Sequence, residues 1–111
     1  MAVAPKVDYL AEVKRYVPAA DEKAVAGIVK HLGIALKSAD ASLVSCSSKD
    51  ELATVRDSWL KRKLGLTDAD EALDKMIKGV CETMKADHNK HRVTFYYLLA
   101  EKAGKLAALA K

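Results

Sequence analysis

The sequence predicts an all-α protein whose residues 1–111 form a single compact domain. Alanine, leucine, lysine and the acidic residues dominate, and most of these side chains favour a helix because they lose little conformational entropy there. Apolar residues recur at the spacing of a helix face, and the sequence contains neither an alternating strand pattern nor an Asn-Gly or Asp-Gly hairpin turn. A chain of 111 residues, of which 50% are hydrophobic, suffices for one core.

The first of about five predicted helices is short and spans residues 7–16. Leu10, Val13 and Val17 give it a thin apolar stripe. Pro18 closes this helix, because proline cannot continue the backbone hydrogen-bond pattern.

The second predicted helix starts at Asp21, a good N-cap, and Glu22 follows in the first turn, where the helix dipole favours an acid. Six apolar residues share one face: Val25, Ile28, Val29, Leu32, Ala35 and Leu36. Gly27 and Gly33 lie inside this pattern and cost helix stability. We therefore expect a close packing contact to account for the two glycines.

A serine-rich loop over residues 38–48 precedes the third helix. Ser48 and Glu51 match a capping box, in which each side chain bonds to the other residue's backbone N–H. The inner face of this helix comprises Leu52, Val55, Trp59 and Leu60. The helix is predicted to end at Leu64, with Gly65 in the position of a C-terminal glycine.

The fourth helix is predicted to be capped by Thr67, with Asp68, Asp70 and Glu71 in its first turn. Its apolar face comprises Leu73, Met76, Ile77, Val80, Cys81 and Met84. A polar hinge over residues 87–91 follows.

The fifth helix is predicted to begin near Arg92 and to run almost to the end of the chain. Residues 93–100 are apolar nearly all round, which is typical of a helix at the centre of a domain.

Three segments, KLGLTD at residues 63–68, VCETMKAD at 80–87 and RVTFYYLLAEK at 92–102, resemble a family of small bacterial proteins catalogued as a domain of unknown function. Residues 29–33 and 43–46 are similar to the same family. The resemblance implies a compact all-helical fold with helix pairs arranged as in EF-hand proteins. It implies no activity, so no functional residue is carried over.

Calcium binding is disfavoured in spite of this expected fold. Asp68 and Asp70 could open an EF-hand loop, but the later ligand and glycine positions hold Ala72, Leu73 and Gly79. The acids are better explained as partners of the helix dipole.

The two cysteines, Cys46 and Cys81, share no C-x-x-C spacing, and we expect both to stay reduced, with Cys81 buried and Cys46 unreactive. Together with His88 and His91 they offer zinc-ligand types but no zinc-finger spacing. We therefore assign no metal ion, no cofactor and no catalytic residue, since hydrolase, phosphate-loop and dinucleotide motifs are absent as well. A metal or redox site around the cysteines is kept as a third-ranked function.

The predicted location is the cytoplasm. The first ten residues lack the apolar run of a secretory signal, and no segment approaches the length of a membrane span.

A basic patch is the candidate site for anions or nucleic acid. The net charge is +4, and the candidate residues flank the end of the third helix and the hinge: Lys61, Arg62, Lys63, Lys85, His88, Lys90, His91 and Arg92. Base recognition is disfavoured, because the fourth helix begins with Asp68, Asp70 and Glu71, which would repel phosphates. A contact to phosphates alone stays open.

The preferred function is a non-catalytic protein–protein interaction module that forms a homodimer, and the alternative is nucleic-acid or anion binding through the basic patch. The preference rests on the fifth helix, which carries more apolar surface than a domain of this size must bury. Leu106 and Leu109 in its tail could dock on another chain or cover the protein's own core, and the sequence favours neither.

Overall fold

The computed structural model describes residues 9–33, 43–86 and 90–109. Its helices are α1 (Tyr9–Lys14), α2 (Glu22–Leu32), α3 (Lys49–Thr54), a π-helix (Val55–Lys63), α4 (Asp70–Thr83), α5 (Arg92–Ala103) and α6 (Leu106–Leu109). Within the described ranges the only β pairing is an isolated antiparallel bridge between Leu43 and His91. The predicted all-α fold is therefore confirmed, while the EF-hand-like pairing implied by the resemblance stays an expectation.

Helix α5 lies at the centre of the domain, as predicted. Every residue from Arg92 to Ala100 is buried. Helices α1, α2, α4 and α6 and the π-helix all pack against α5. An apolar helix surrounded in this way loses most of its water-accessible surface, which is the main favourable contribution to folding.

Helix α2 begins as predicted, because the Asp21 side chain accepts hydrogen bonds from the backbone N–H groups of Lys23 and Ala24 at 2.9 and 3.3 Å. The backbone N–H of Asp21 donates to the Tyr97 hydroxyl at 2.8 Å, which ties the start of α2 to α5. The helix ends at Gly33, where φ is +34°, a value that favours glycine. The predicted continuation through Ala35 and Leu36 lies outside the described residues.

Gly27 has the close packing contact that the sequence predicts. A Cβ atom added there would overlap the backbone carbonyl oxygen of Leu109 and lie 3.1 Å from its carbonyl carbon. Gly27 thus lets α6 approach the backbone of α2, whereas Gly33 serves the end of the helix.

The capping box at the start of α3 is only half formed. The Ser48 hydroxyl accepts from the Glu51 N–H at 3.2 Å, as predicted. The N–H of Ser48, however, donates to the Ser45 carbonyl, and the Glu51 carboxylate pairs with Arg92 instead. An ion pair to a buried guanidinium has replaced the second capping bond.

The helix that begins at α3 continues as a π-helix, in which the Leu64 N–H donates to the Trp59 carbonyl five residues earlier at 2.9 Å. A π turn is wider than an α turn, so residues spaced four and five apart share its inner side. Four such residues are buried: Val55, Trp59, Leu60 and Leu64. Gly65 follows with φ of +70°, which confirms the predicted end.

Two predicted helix boundaries are wrong. The N-cap of α4 is Ala69 rather than Thr67, and it makes no side-chain capping bond. The last helix does not run almost to the end of the chain, because Gly104 adopts a left-handed conformation with φ of +70° and separates α5 from α6.

The apolar surface of α5 and α6 covers the protein's own core. Residues 92–100 are buried within the chain, and Leu109 is buried where α6 packs on α2. The apolar surface that motivated a docking surface on the fifth helix is therefore buried within the chain itself. None of the helices in the described ranges is both long enough and apolar enough to span a membrane.

Candidate anion-binding cleft beside a disulfide

A disulfide joins Cys46, in the loop before α3, to Cys81 in α4, with the two Cα atoms 6.0 Å apart. The prediction of two reduced thiols is therefore wrong. The Val44 N–H donates to the Lys90 carbonyl at 2.8 Å, and this pairing holds the loop beside the segment that follows α4. A contact between residues 35 positions apart leaves no trace in their spacing, so the sequence did not reveal it.

The zinc set weighed from the sequence is not assembled in this state. The two cysteine sulfurs are bonded to each other, so neither is a thiolate that could bind zinc. Nε2 of His91 lies 3.6 Å from a carboxylate oxygen of Glu12, and the His91 ring meets the Tyr9 ring edge-on at 6.1 Å. His88 lies outside the described residues.

A cleft of about 520 Å³ opens beside the disulfide, and we call it the lysine cleft. Its lining comprises Cys46, Leu52, Lys78, Gly79, Cys81, Glu82, Lys85 and Lys90. Three lysines face one glutamate in this set, so the cleft attracts negative charge. Both cysteines are half-buried and contribute to its surface.

Helix α4 supplies one wall of the lysine cleft. Lys78, Cys81 and Glu82 follow each other at the spacing i, i+3 and i+4, which places them on one face of α4, and Lys85 lies in the turn directly after the helix. Nζ of Lys85 lies 3.9 Å from a carboxylate oxygen of Glu82, and both side chains are mostly exposed, so this pair is weak.

Gly79 of α4 and Lys90 of the hinge complete the lining. Gly79 presents no side chain there, and a Cβ atom at this position would lie 3.6 Å from Nζ of Lys102 in α5. Lys90, which precedes α5, lines the cleft from the hinge. A fourth lysine, Lys102, thus lies near the same wall and adds to its positive potential.

A neighbouring cleft is larger, at about 700 Å³, but its charges nearly cancel, with four basic residues against three acidic ones. It is lined by Lys49, Asp50, Leu52, Ala53, Arg56, Glu71, Asp74, Lys75, Ile77 and Lys78. Its arginine, Arg56, bonds to Asp57 at 3.0 Å and to Asp74 at 3.3 Å. With its arginine already engaged by acids, this surface is less suited to an anion than the lysine cleft.

The basic residues at the end of the third helix lie apart from the lysine cleft lining. Nζ of Lys61 lies 2.5 Å from a carboxylate oxygen of Asp70 and 3.7 Å from one of Asp57. The hydrogen bond between Lys61 and Asp70 raises the pKa of Lys61 and lowers the pKa of Asp70. Arg62 and Lys63 are exposed, and Arg62 lines a shallow surface of about 250 Å³ with Asp57.

The residues of the predicted patch in and beside the hinge divide into two groups. Lys85 and Lys90 come together in the lysine cleft. His91 is half-buried, and Arg92 is buried with its guanidinium bonded to Glu51, to the Leu43 carbonyl and to the Tyr96 hydroxyl. Arg92 therefore has to be removed from the predicted surface patch, because its charge is used inside the domain.

Sequence reasoning missed Lys78 and the disulfide. The signal for Lys78 was present, since Lys78 precedes Cys81 by three residues in the same helix. The apolar stripe of the fourth helix assigned Cys81 to the core, whereas it lies at the border of that stripe and faces the lysine cleft.

A family model described as "Protein of unknown function (DUF2853)" matches residues 8–107 of the chain. No curated protein matches the chain.

Proposed function

The chain belongs to this family of unknown function, and we propose that it is a non-catalytic protein–protein interaction module whose lysine cleft binds an acidic segment of a partner. The observation that carries the proposal is the placement of Lys78, Lys85 and Lys90 around one concave surface. Carboxylates entering this surface would meet several ammonium groups at once.

The composition of the lysine cleft supports a peptide rather than an isolated ion. Leu52 and the disulfide contribute apolar surface beside the lysines. A protein segment with acidic and apolar side chains would complement both kinds of surface.

Nucleic-acid binding is the alternative, and the charge distribution gives it less support. A duplex requires several cations in register with its phosphates. Lys61 is engaged by Asp57 and Asp70, and the buried guanidinium of Arg92 is bonded to Glu51. The first turn of α4 also carries Asp70 and Glu71.

The test is fluorescence polarisation with a labelled hexaglutamate peptide. We expect binding that weakens with salt, and a loss of about tenfold in affinity when Lys78, Lys85 and Lys90 are all changed to glutamine. The matched control changes Lys14, Lys23 and Lys75 to glutamine, which removes the same charge from other exposed positions. Equal affinities of the two triple variants would overturn the proposal.

A short DNA duplex in the same assay addresses the alternative. DNA binding that is lost when Lys61, Arg62 and Lys63 are changed, and kept when the lysines of the lysine cleft are changed, would favour nucleic acid over an acidic peptide.

The homodimer and the cytoplasmic location also stay proposals. Sedimentation velocity tests the dimer, and its concentration dependence would give the affinity of the two copies. Fractionation of cells tests the location, which matters here because a reducing compartment would favour the dithiol over the disulfide.

A further inference from the structure

We propose that the Cys46–Cys81 disulfide is a thiol-exchange site for small carboxylate-bearing thiols, which the lysine cleft attracts to it. The inference rests on the proposed function in one respect, since the same lysines attract the anion. It adds a covalent step and a chemical class of ligand to that surface.

The disulfide is open to attack from the lysine cleft. Cys46 and Cys81 are half-buried, and both line the cleft. Cys46 lies in a turn outside the helices, whereas Cys81 is held in α4. For a nucleophile in the cleft, the Cys46 sulfur is therefore carried by the less constrained backbone of the two.

The two lysines on either side of Cys81 in the chain favour its sulfur as the leaving group. Lys78 precedes Cys81 by three residues on the same face of α4, and Lys85 lies in the turn directly after α4, four residues beyond Cys81. Nearby positive charges stabilise a thiolate. The cleft thus favours Cys81 as the leaving thiolate and Cys46 as the sulfur that is attacked.

The exchange is balanced in two steps. The incoming thiolate gives its electron pair to the Cys46 sulfur, the Cys46–Cys81 bond breaks, and its electron pair stays on Cys81 as a thiolate. A second small thiolate then attacks the mixed disulfide and releases Cys46 as a thiolate. Two small thiols are oxidised to their disulfide while the protein disulfide is reduced to a dithiol.

The test compares the second-order rate of exchange on the oxidised full-length protein for three thiols. Mercaptoacetate carries a negative charge, 2-mercaptoethanol is neutral and cysteamine is positive. The variants are the same as those above, Lys78, Lys85 and Lys90 to glutamine against Lys14, Lys23 and Lys75 to glutamine. Each thiol is compared between variants, so its intrinsic reactivity cancels.

We expect the ratio of the mercaptoacetate rate to the cysteamine rate to fall about tenfold in the lysine-cleft variant and to stay near the wild-type value in the control. Salt at about 1 M should reduce the difference between variants, because screening then acts over a few ångström. Peptide mapping by mass spectrometry should locate the first mercaptoacetate adduct on Cys46.

Equal ratios in both triple variants, or an adduct mainly on Cys81, would overturn the inference. Binding of the hexaglutamate peptide, measured on the same samples, reports on the proposed function separately. If the peptide binds in the cleft while the thiol rates show no charge selectivity, the exchange site fails and the proposed function stands.

Discussion

The carboxylate of Glu51 and the guanidinium of Arg92 form an ion pair at the edge of the helical core, with side-chain exposures of 25% and 10%. Arg92 also donates to the Leu43 carbonyl at 3.0 Å and to the Tyr96 hydroxyl at 3.1 Å. One guanidinium thereby connects the first turn of α3, the loop that leads to Cys46 and the first turns of α5. Burial is the main cause that raises the pKa of Tyr96, so its hydroxyl stays neutral in this network.

Changing Glu51 to glutamine should destabilise the protein by about 2 kcal/mol, because the buried guanidinium then lacks its carboxylate. Urea unfolding measures the change in the free energy of unfolding. Glu101 is exposed near the end of α5, and Glu101→Gln should leave the free energy nearly unchanged. Similar losses in the two variants would show that the Glu51–Arg92 pair is not a significant contribution.

The Glu51–Arg92 pair marks where sequence reasoning reaches its limit. Local rules identified Ser48 as the cap of α3, because a cap involves residues three positions apart. They assigned Glu51 to the same cap and Arg92 to the surface, since each choice is sound for a helix considered alone. Only the packing of α5 against the π-helix that continues α3 brings the two charges together.

Gly27→Ala should destabilise the protein, whereas Gly79→Ala should stabilise it by about 0.5–1 kcal/mol. Both glycines lie inside helices, where alanine is the better helix former. A Cβ atom at Gly27 overlaps the backbone of Leu109, while one at Gly79 makes an ordinary contact with the flexible end of Lys102. Thermal and urea unfolding of both variants test whether the free energy of unfolding falls in Gly27→Ala and rises in Gly79→Ala.

A truncated chain provides the control for this pair. When the protein ends at Lys105, Leu109 is absent and Gly27→Ala should become stabilising relative to the truncated parent. A loss of stability that persists in the truncated chain would mean that the contact with α6 is not its cause.

The distances along the chain also explain which glycines the sequence could interpret. Gly65 follows a helix directly, so its role at the helix end was predictable from neighbouring residues. The partner of Gly27 is 82 positions away, and the pattern indicated a close contact without naming Leu109. The Cys46–Cys81 contact was missed for the same reason, and with it the cleft that those residues share with Lys78.

Reduction of the disulfide should lower the free energy of unfolding by about 3–4 kcal/mol, because the unfolded chain regains the freedom of a loop closed across 35 positions. Urea unfolding with and without a phosphine reductant measures the difference. The double variant Cys46→Ala with Cys81→Ala should have the same free energy of unfolding with and without the reductant. If the wild-type protein is equally stable in both, the disulfide makes no net contribution to the folded state.

The protonation of His31 should couple stability to pH. Partial burial of the ring, which lies against Trp59 at 5.3 Å, and then the charge of Lys63 lower the pKa of His31 below its ordinary value of 6.5. The unfolded chain therefore binds the proton more readily than the folded protein. The contribution of His31 is at its maximum above about pH 6.5 and is lost as the pH falls through the lowered pKa.

We accordingly expect His31→Gln to lose less stability than the wild-type protein when urea unfolding is repeated at successively lower pH below about 6.5. The effect should be small because His31 is largely exposed. Lys63→Gln should give an intermediate dependence, since it removes only the second cause, and Lys30→Gln on the same helix should match the wild type. An NMR titration of the His31 ring with a midpoint above 6.5 would reverse the sign of the coupling and contradict the prediction.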